Sequence, residues 1–199
     1  NALSEAEKNY IRFFNKNGKT SINLLPAIIP DLKHMGYKIK LIDQRSPANV
    51  QVPLIDKNYF INFNDDEGRP IVLGEHQVNG VNALTQNTGG ILLAGTGAGK
   101  SIAAAALVDL YNKHTNFRCM IVVPTKDLIN QTSADIAKFD IEVGRYYGDV
   151  KEPNAQNVVT TWQSLQNNPR LMAMFQVIIV DECHGAAANV LKQMILENG

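Results

Sequence analysis

The chain has 199 residues, 45% of them hydrophobic, and equal numbers of acidic and basic side chains give a formal net charge of zero. That length suits one ordinary α/β domain with a small appendage, and the composition excludes an intrinsically disordered chain. No apolar run approaches the roughly 18 residues needed to cross a membrane, and the polar first residues predict no signal peptide. Only two cysteines occur, Cys119 and Cys183, which excludes a disulfide framework and favours a reducing, cytosolic setting.

Charge is distributed unevenly along the chain. Residues 1–46 contain eight Lys or Arg and four Asp or Glu, a net charge of +4, and the remainder carries −4. A basic segment of this kind suggests contact with a polyanion, although a solvated charged face explains it equally well. If the segment contacts duplex DNA, the lysines expected to contribute are Lys33, Lys38 and Lys40.

Residues 1–65 are predicted to form a small α+β module, and the acidic turn at residues 65–68 marks its end. Ser4 and Glu7 have the spacing of a capping box, which opens a helix. Apolar and lysine side chains alternate after Gly36, as they do in a strand. The predicted elements of this module are helices over residues 4–15 and 24–35 and strands over residues 37–42 and 59–63.

Residues 66–199 are predicted to form a second domain, in which helices alternate with short apolar strands. Such strands lie in a parallel sheet that helices cover on both faces, and ligands bind at the carboxyl ends of the strands. The predicted helices cover residues 77–85, 100–113, 125–139 and 186–196, and the predicted strands cover residues 90–94, 118–123, 143–147, 158–160 and 176–180.

The glycine-rich sequence AGTGAGKS occupies residues 94–101, between a predicted strand and an Ala-rich helix. Glycines let the backbone curl so that successive N–H groups face phosphate oxygens, and the following helix adds its positive end. Lys100 is expected to reach the β- and γ-phosphates of a nucleotide, and the Ser101 hydroxyl is expected to ligate Mg²⁺. The alternative is a glycine-rich turn without a ligand. The predicted nucleotide-binding residues are Gly95, Thr96, Gly97, Ala98, Gly99, Lys100 and Ser101.

An acidic pair, Asp181 and Glu182, follows the last predicted strand. A nucleotide motor needs one carboxylate near Mg²⁺ and a second that polarises the attacking water. Asp181 at the strand end suits the metal, and Glu182 suits the general base. Such a pair alone usually only caps a helix, but together with Lys100 it indicates a catalytic site. His184 is expected to couple this site to a neighbouring domain, unless it is an ordinary surface histidine.

These motifs resemble those of helicase superfamily 2. AGTGAGKS is similar to that family's phosphate loop, in which alanine is ordinary at the first position, and DECH at residues 181–184 is similar to its DExH box. Residues 123–131 and the TWQSL sequence at 161–165 resemble two motifs on the nucleic-acid side of the first RecA-like domain. The resemblance therefore implies an ATP-dependent helicase with a RecA-like α/β sheet. The residues it implies in nucleic-acid contact are Pro124, Thr125, Lys126 and Thr161.

Two of these residues have a second interpretation. Thr125 and Thr161 follow strand ends, where hydroxyls and helix N-terminal amides hold phosphates without reading base sequence. Both are also suited to capping the next helix, and the two roles are compatible. Trp162 is expected to be buried and to anchor the fold; the alternative is an exposed ring that stacks on a nucleic-acid base.

Gln77 resembles the glutamine that reads adenine in these families, although the flanking Gly74, Glu75 and His76 depart from the usual pattern. More narrowly, the motif spacing and the segment around Leu24 resemble phage UvsW-type branch-migration helicases. Such enzymes remodel branched DNA. The resemblance thus implies ATP and Mg²⁺ as cofactors, DNA as the partner and a cytoplasmic location, which is the host cytoplasm for a phage protein.

In these families ATP lies between two RecA-like domains, and the motifs of the second domain do not follow the DECH box here. Because an arginine finger from the second domain contributes about 10³–10⁵ in rate, we expect this chain to bind ATP and hardly to hydrolyse it. The alternatives are an RNA helicase, the motor subunit of a restriction enzyme, a non-catalytic nucleic-acid-binding module and a small-molecule kinase. Intact Lys100, Asp181 and Glu182 argue against the non-catalytic module, and the TWQSL motif argues against the kinase.

Overall fold

A computed structural model describes residues 25–40, 50–87, 89–95 and 97–183. The chain divides into two compact units, residues 1–46 and 47–199. Within the described ranges, no helix is long and apolar enough to cross a membrane. The helices predicted over residues 4–15 and 186–196 lie outside the described residues.

The first unit contains helix α1 (Leu25–His34). Ile28 is its buried residue, and the last turn carries Lys33 and His34, which complement the negative end of the helix. The helix predicted over residues 24–35 is thereby confirmed. The strand predicted over residues 37–42 is wrong for residues 37–40, because they make no strand pairing in the structure.

The second unit is built around a sheet whose strands are β1 (Cys119–Val123), β2 (Gly144–Tyr147), β3 (Val150–Lys151), β4 (Asn157–Thr161) and β5 (Val177–Val180). Their order across the sheet is β3-β2-β4-β1-β5. Every pairing is parallel except that of the short β3 with β2. All residues of β1 and β4 are buried, as expected of central strands that are covered on both faces. The predicted α/β parallel sheet is confirmed.

Helices cover both faces of this sheet. Side chains alternate along β1, so Cys119, Ile121 and Val123 pack into one core while Met120 and Val122 pack into the other. The elements that cover the sheet are α2 (Glu75–Gln86), α3 (Lys100–His114), α4 (Lys126–Ala137), α5 (Trp162–Asn167) and a 3-10 helix (Pro169–Met174). The first core also receives apolar residues from α2, α3 and α4, and the second receives them from α5 and the 3-10 helix.

The segment before α2 packs into the first core. Ile55 and Phe60 are buried there, and the Phe60 ring stacks on Phe139 with 4.1 Å between the ring centroids. The compact unit that contains the sheet accordingly begins at Pro47, earlier along the chain than the acidic turn at residues 65–68.

Two predicted strands of this unit are wrong. Residues 59–63 form turns, in which the amides of Ile61 and Phe63 donate to carbonyls three residues earlier. Residues 90–94 form no strand, and Ile91 and Leu93 are 83% and 96% exposed where burial was expected. The other predicted helices and strands that fall on described residues of this unit are confirmed, with ends displaced by one or two residues.

The two cysteines carry free thiols, as expected. Cys119 is buried in β1, and burial raises the pKa of its thiol to about 12. Cys183 is half-buried beside the acidic pair. The buried thiol therefore stays protonated and behaves as a small apolar side chain.

Candidate nucleotide and nucleic-acid site

The phosphate loop at residues 94–101 leads directly into α3. Gly97 and Gly99 have φ angles of +78° and +72°, in a left-handed region that residues with a Cβ enter only with strain. Gly99 is the N-cap of α3, so Lys100 and Ser101 are the first two residues of the helix. The unpaired amides and the positive end of the helix dipole lie at this position, where they favour phosphate.

Gln77 packs against the phosphate loop from α2 and is buried. Its Nε2 donates to the carbonyls of Ala98 and Gly99, both at 3.1 Å, and its Oε1 accepts from the Gly74 amide at 2.7 Å. His76 Nε2 lies 2.9 Å from the same Ala98 carbonyl oxygen. Gln77 therefore holds the backbone of the loop, a contact that the sequence did not predict, and its contact with adenine stays a prediction.

The phosphate loop and the DECH box meet in one ion pair. Lys100 Nζ lies 2.6 Å from Glu182 Oε1, although the two residues are 82 positions apart. The hydrogen bond with Glu182 raises the pKa of Lys100, and the charge of Asp181 acts in the same direction. Both side chains of the pair are partly exposed, so an incoming anion has access to the ammonium group.

The backbone after β5 turns Glu182 towards the loop. The Asp181 amide continues the strand pairing by donating to the Val122 carbonyl at 2.9 Å. Asp181 Oδ1 then accepts from the Glu182 amide, also at 2.9 Å. This turn places Glu182 at a φ of +50°, which is uncommon for a residue with a side chain and is found often at functional sites.

The predicted magnesium ligands, Ser101 and Asp181, adjoin the two residues of this ion pair. Hydroxyl and carboxylate oxygens are hard donors of the kind that Mg²⁺ prefers. Among the described residues, no three His, Cys, Asp or Glu side chains converge closely enough to hold a metal alone. The donor set therefore fits Mg²⁺ that protein side chains share with phosphates and water, which is its usual form with nucleotides.

The loop after β1 carries three of the predicted nucleic-acid contacts, and Pro124, Thr125 and Lys126 are all exposed. Thr125 is the N-cap of α4, but its hydroxyl makes no capping hydrogen bond. Lys126 approaches the turn between β2 and β3, where a Cβ on Gly148 would lie 3.9 Å from Lys126 Nζ. This hairpin was not predicted, although Gly148–Asp149 between aromatic and β-branched residues is a turn signal that indicates one.

Thr161 is buried and caps α5. Its Oγ1 accepts from the Ser164 amide at 3.3 Å and lies 3.1 Å from Ser164 Oγ. Capping therefore engages the hydroxyl, and its contact with nucleic acid stays a prediction. Trp162 is buried in the second core, which confirms the anchor role expected for it. Thr96 and His184 lie outside the described residues.

Residues 70–198, well over half of the chain, match the protein family described as Type III restriction enzyme, res subunit. The chain belongs to this family. The ATP-dependent DNA helicase uvsW of Enterobacteria phage T4 is 30% identical over 115 residues, which are 53% of this chain and 23% of the phage protein. The DNA 3'-5' translocase XPB2 of Sulfurisphaera tokodaii is 32% identical over 115 residues, 57% of this chain and 25% of that protein.

This chain thus spans about a quarter of the length of these two curated relatives. Among solved structures, the crystal structure of the UvsW helicase from bacteriophage T4 aligns with a TM-score of 0.74 and 23% identity, over 94% of this chain and 72% of that one. At this identity the likeness shows the fold, which is the RecA-like fold of helicases. The chain has the fold of a superfamily 2 helicase domain and resembles the N-terminal part of UvsW.

Proposed function

We propose that this domain binds Mg·ATP between its phosphate loop and its DECH box, and that the parent protein uses ATP hydrolysis to move along DNA and remodel branched DNA. The ion pair between Lys100 and Glu182 carries the proposal, because it joins the two motifs at the carboxyl edge of the sheet. Ligands of parallel α/β sheets bind at this edge. The remodelling of branched DNA rests on the resemblance of the motif spacing to UvsW-type helicases.

Each residue of the site has a role that its position supports. Lys100 exchanges Glu182 for the β- and γ-phosphates when the nucleotide enters. Ser101 and Asp181 would hold Mg²⁺, which would neutralise charge on the phosphates. Glu182, no longer paired with Lys100, accepts a proton from the attacking water. When ATP is present, the two partners of the ion pair therefore separate, so that Lys100 binds phosphate and Glu182 accepts the proton of water.

The loop after β1 supports contact with the DNA backbone. At the N-terminal end of α4, the Thr125 hydroxyl makes no capping hydrogen bond and Lys126 adds a positive charge. The helix amides at this end also favour phosphate. Contacts of this type position a nucleic-acid backbone without reading its sequence. They suit a motor that must move along DNA of any sequence.

Binding of a fluorescent ATP analogue to the 199-residue chain tests the nucleotide site. Lys100→Ala should lower the affinity by roughly tenfold or more, since hydrogen bonds to charged groups contribute about 1.5–3 kcal/mol. Glu182→Gln should keep or raise the affinity, because the neutral amide competes less well for the ammonium group. Lys138→Ala, which changes an exposed lysine on another surface, is the matched control. Equal affinities of the wild type and Lys100→Ala for the ATP analogue would contradict the assignment of the nucleotide site.

ATP hydrolysis by the complete parent protein tests the DNA part of the proposal. The rates are compared without nucleic acid and with single-stranded DNA, duplex DNA, a four-way junction and RNA. We expect the four-way junction to stimulate hydrolysis most and Glu182→Gln to abolish it. The isolated chain should show hardly any turnover. Stimulation by RNA alone would reassign the protein to the RNA helicases.

A second candidate function is the motor of a restriction enzyme, which the family description favours. Such a motor moves along unbranched DNA. In the same experiment it would be stimulated by plain duplex as strongly as by the four-way junction, so the ratio of these two rates separates the candidates.

A further inference from the structure

The first turn of α2 brings two neighbouring side chains to the phosphate loop. His76 Nε2 lies 2.9 Å from the Ala98 carbonyl oxygen, and Gln77 Nε2 donates to the same oxygen at 3.1 Å. Because a carbonyl oxygen only accepts hydrogen bonds, His76 Nε2 carries the proton of its contact. The oxygen has two lone pairs, so these two donors use its full capacity. The Ala98 carbonyl is therefore held towards α2 by both residues.

Holding this carbonyl also orients the amide of the next residue, Gly99. The Ala98 carbonyl and the Gly99 N–H belong to one planar trans peptide unit, in which they point in opposite directions. Since the carbonyl is directed at α2, the N–H is directed away from it. Gly99 is the N-cap of α3, where an amide has no acceptor within the helix. The two donors on α2 thus set the direction of an amide that can bind phosphate.

The backbone before α2 leaves room for the His76 ring. A Cβ built on Gly74 would lie 2.8 Å from His76 Cε1 and 3.0 Å from its Nδ1. Gly74 has a φ of −68° and a ψ of 152°, an extended conformation that any residue adopts. Its backbone therefore does not require glycine, whereas the position of the His76 ring does. Alanine at position 74 would displace the ring from the Ala98 carbonyl without changing the imidazole itself.

We propose that His76 is a positioning residue of the nucleotide site, which presents the Gly99 amide to phosphate oxygens by holding the Ala98 carbonyl together with Gln77. This role rests on the proposed ATP site and adds a residue to it. His76 is exposed, so its side chain contributes little to the core. An amide that is oriented in advance costs less free energy to order when a ligand binds. Because the contact acts on the loop backbone, it favours the triphosphate group and is indifferent to the nucleobase.

Competition against a fluorescent ATP analogue tests this role in the 199-residue chain, with the Mg²⁺ complexes of ATP, GTP and inorganic tripolyphosphate as competitors. His76→Ala should weaken all three by about twofold to tenfold, as expected for one hydrogen bond. His76→Gln should recover most of the affinity, because the glutamine Nε2 reaches a similar position and also donates. Gly74→Ala should weaken binding as much as His76→Ala. Adding it to His76→Ala should cost nothing more, since no ring remains to be displaced.

His114→Ala, which removes an exposed histidine at the other end of α3, is the matched control and should leave all three affinities unchanged. Circular dichroism melts check that each variant folds, and Lys100→Ala separates this role from the proposed site. If the wild type binds no better than Lys100→Ala, the proposed site fails and the role of His76 fails with it. If Lys100→Ala loses binding while His76→Ala binds tripolyphosphate like the wild type, only the role of His76 is overturned. A loss confined to ATP, or one that His76→Gln does not recover, overturns that role as well.

Discussion

At the phosphate loop, two glycines share a left-handed backbone but have different surroundings. A Cβ built on Gly97 meets no atom within 4 Å, whereas a Cβ on Gly99 would lie 2.1 Å from Gln77 Nε2. The first position therefore needs glycine for its backbone alone. The second needs it also for the close approach of a buried side chain that binds the loop carbonyls.

This difference predicts unequal effects of alanine at the two positions. Gly97→Ala should lower the free energy of unfolding by about 1–2 kcal/mol, the cost of a left-handed alanine. Gly99→Ala should lower it further, because Gln77 must give up its place. Adding Gln77→Ala to Gly99→Ala should recover part of the loss, since the collision disappears. Urea unfolding of the wild type and these three variants measures the free energies of unfolding, and equal costs at both glycines would contradict the prediction.

Gln77 itself can act on the loop, on adenine or on both, and nucleotide preference separates these roles. If its hydrogen bonds to the loop matter most, Gln77→Ala should weaken ATP and GTP binding alike, by about 1–3 kcal/mol for a lost buried network. If it reads adenine, ATP affinity alone should fall. Gln86→Ala, at the exposed end of the same helix, is the control. Competition titrations with both nucleotides give the answer.

The elements that the sequence predicted well are those whose pattern reflects burial on both faces. All five residues of β1 and seven of the fifteen residues of α3 are buried, in agreement with the apolar run of β1 and the Ala-rich sequence of α3. The strand prediction for residues 59–63 was wrong because aromatic residues also pack well from turns, as Phe60 does on Phe139. The two-residue β3 is too short to leave a periodic signal.

The candidate site shows the same division between local and long-range information. Lys100, Ser101, Asp181 and Glu182 were predicted because motif chemistry depends on neighbouring residues. The hydrogen bonds of Gln77 to the loop were not, because they join residues more than 20 positions apart and depend on how α2 packs on α3.

Arg118 joins the segments that enter three neighbouring strands. Its guanidinium group donates to the carbonyls of Pro153, Ala155 and Met174 and lies 4.4 Å from the ring centroid of Phe175. It therefore links the segment before β1 to the segments before β4 and β5. A single ammonium group lacks the planar fork that reaches these carbonyls together.

Arg118→Lys should accordingly lower the free energy of unfolding by about 1–3 kcal/mol, as expected for lost hydrogen bonds of a charged group. Arg170→Lys makes the same chemical change at an exposed position and should have hardly any effect. Thermal melts followed by circular dichroism measure both variants. Equal melting temperatures for Arg118→Lys and the wild type would show that the guanidinium group is dispensable.

At the scale of the molecule, the two most exposed large apolar side chains among the described residues lie just before the phosphate loop. Ile91 and Leu93 are almost fully exposed, and β5 pairs on one side only, with β1, in the described part of the sheet. Exposed apolar side chains and open strand edges promote association between chains. We therefore expect this chain to self-associate in solution.

Leu93→Lys should shift the chain towards monomer at high concentration, because it replaces an exposed apolar side chain with a charged one. Light scattering coupled to size-exclusion chromatography measures the mass. Leu54→Lys, at another exposed leucine, is the matched control and should shift it less. A wild-type chain that stays monomeric throughout the concentration range would contradict the prediction.

The ion pair of the proposed ATP site also constrains when that site forms during synthesis. Its partners are 82 residues apart, and β5, which precedes Glu182, pairs with the central strand β1, which is synthesised earlier. Parallel pairings between distant segments fold slowly, because the loop-closure entropy is lost before the contacts form. A nascent chain that has not yet released the DECH box from the ribosome therefore lacks the second half of the site. If the site binds nucleotide as proposed, nucleotide binding reports the completion of folding, because an unfinished chain lacks half of the site.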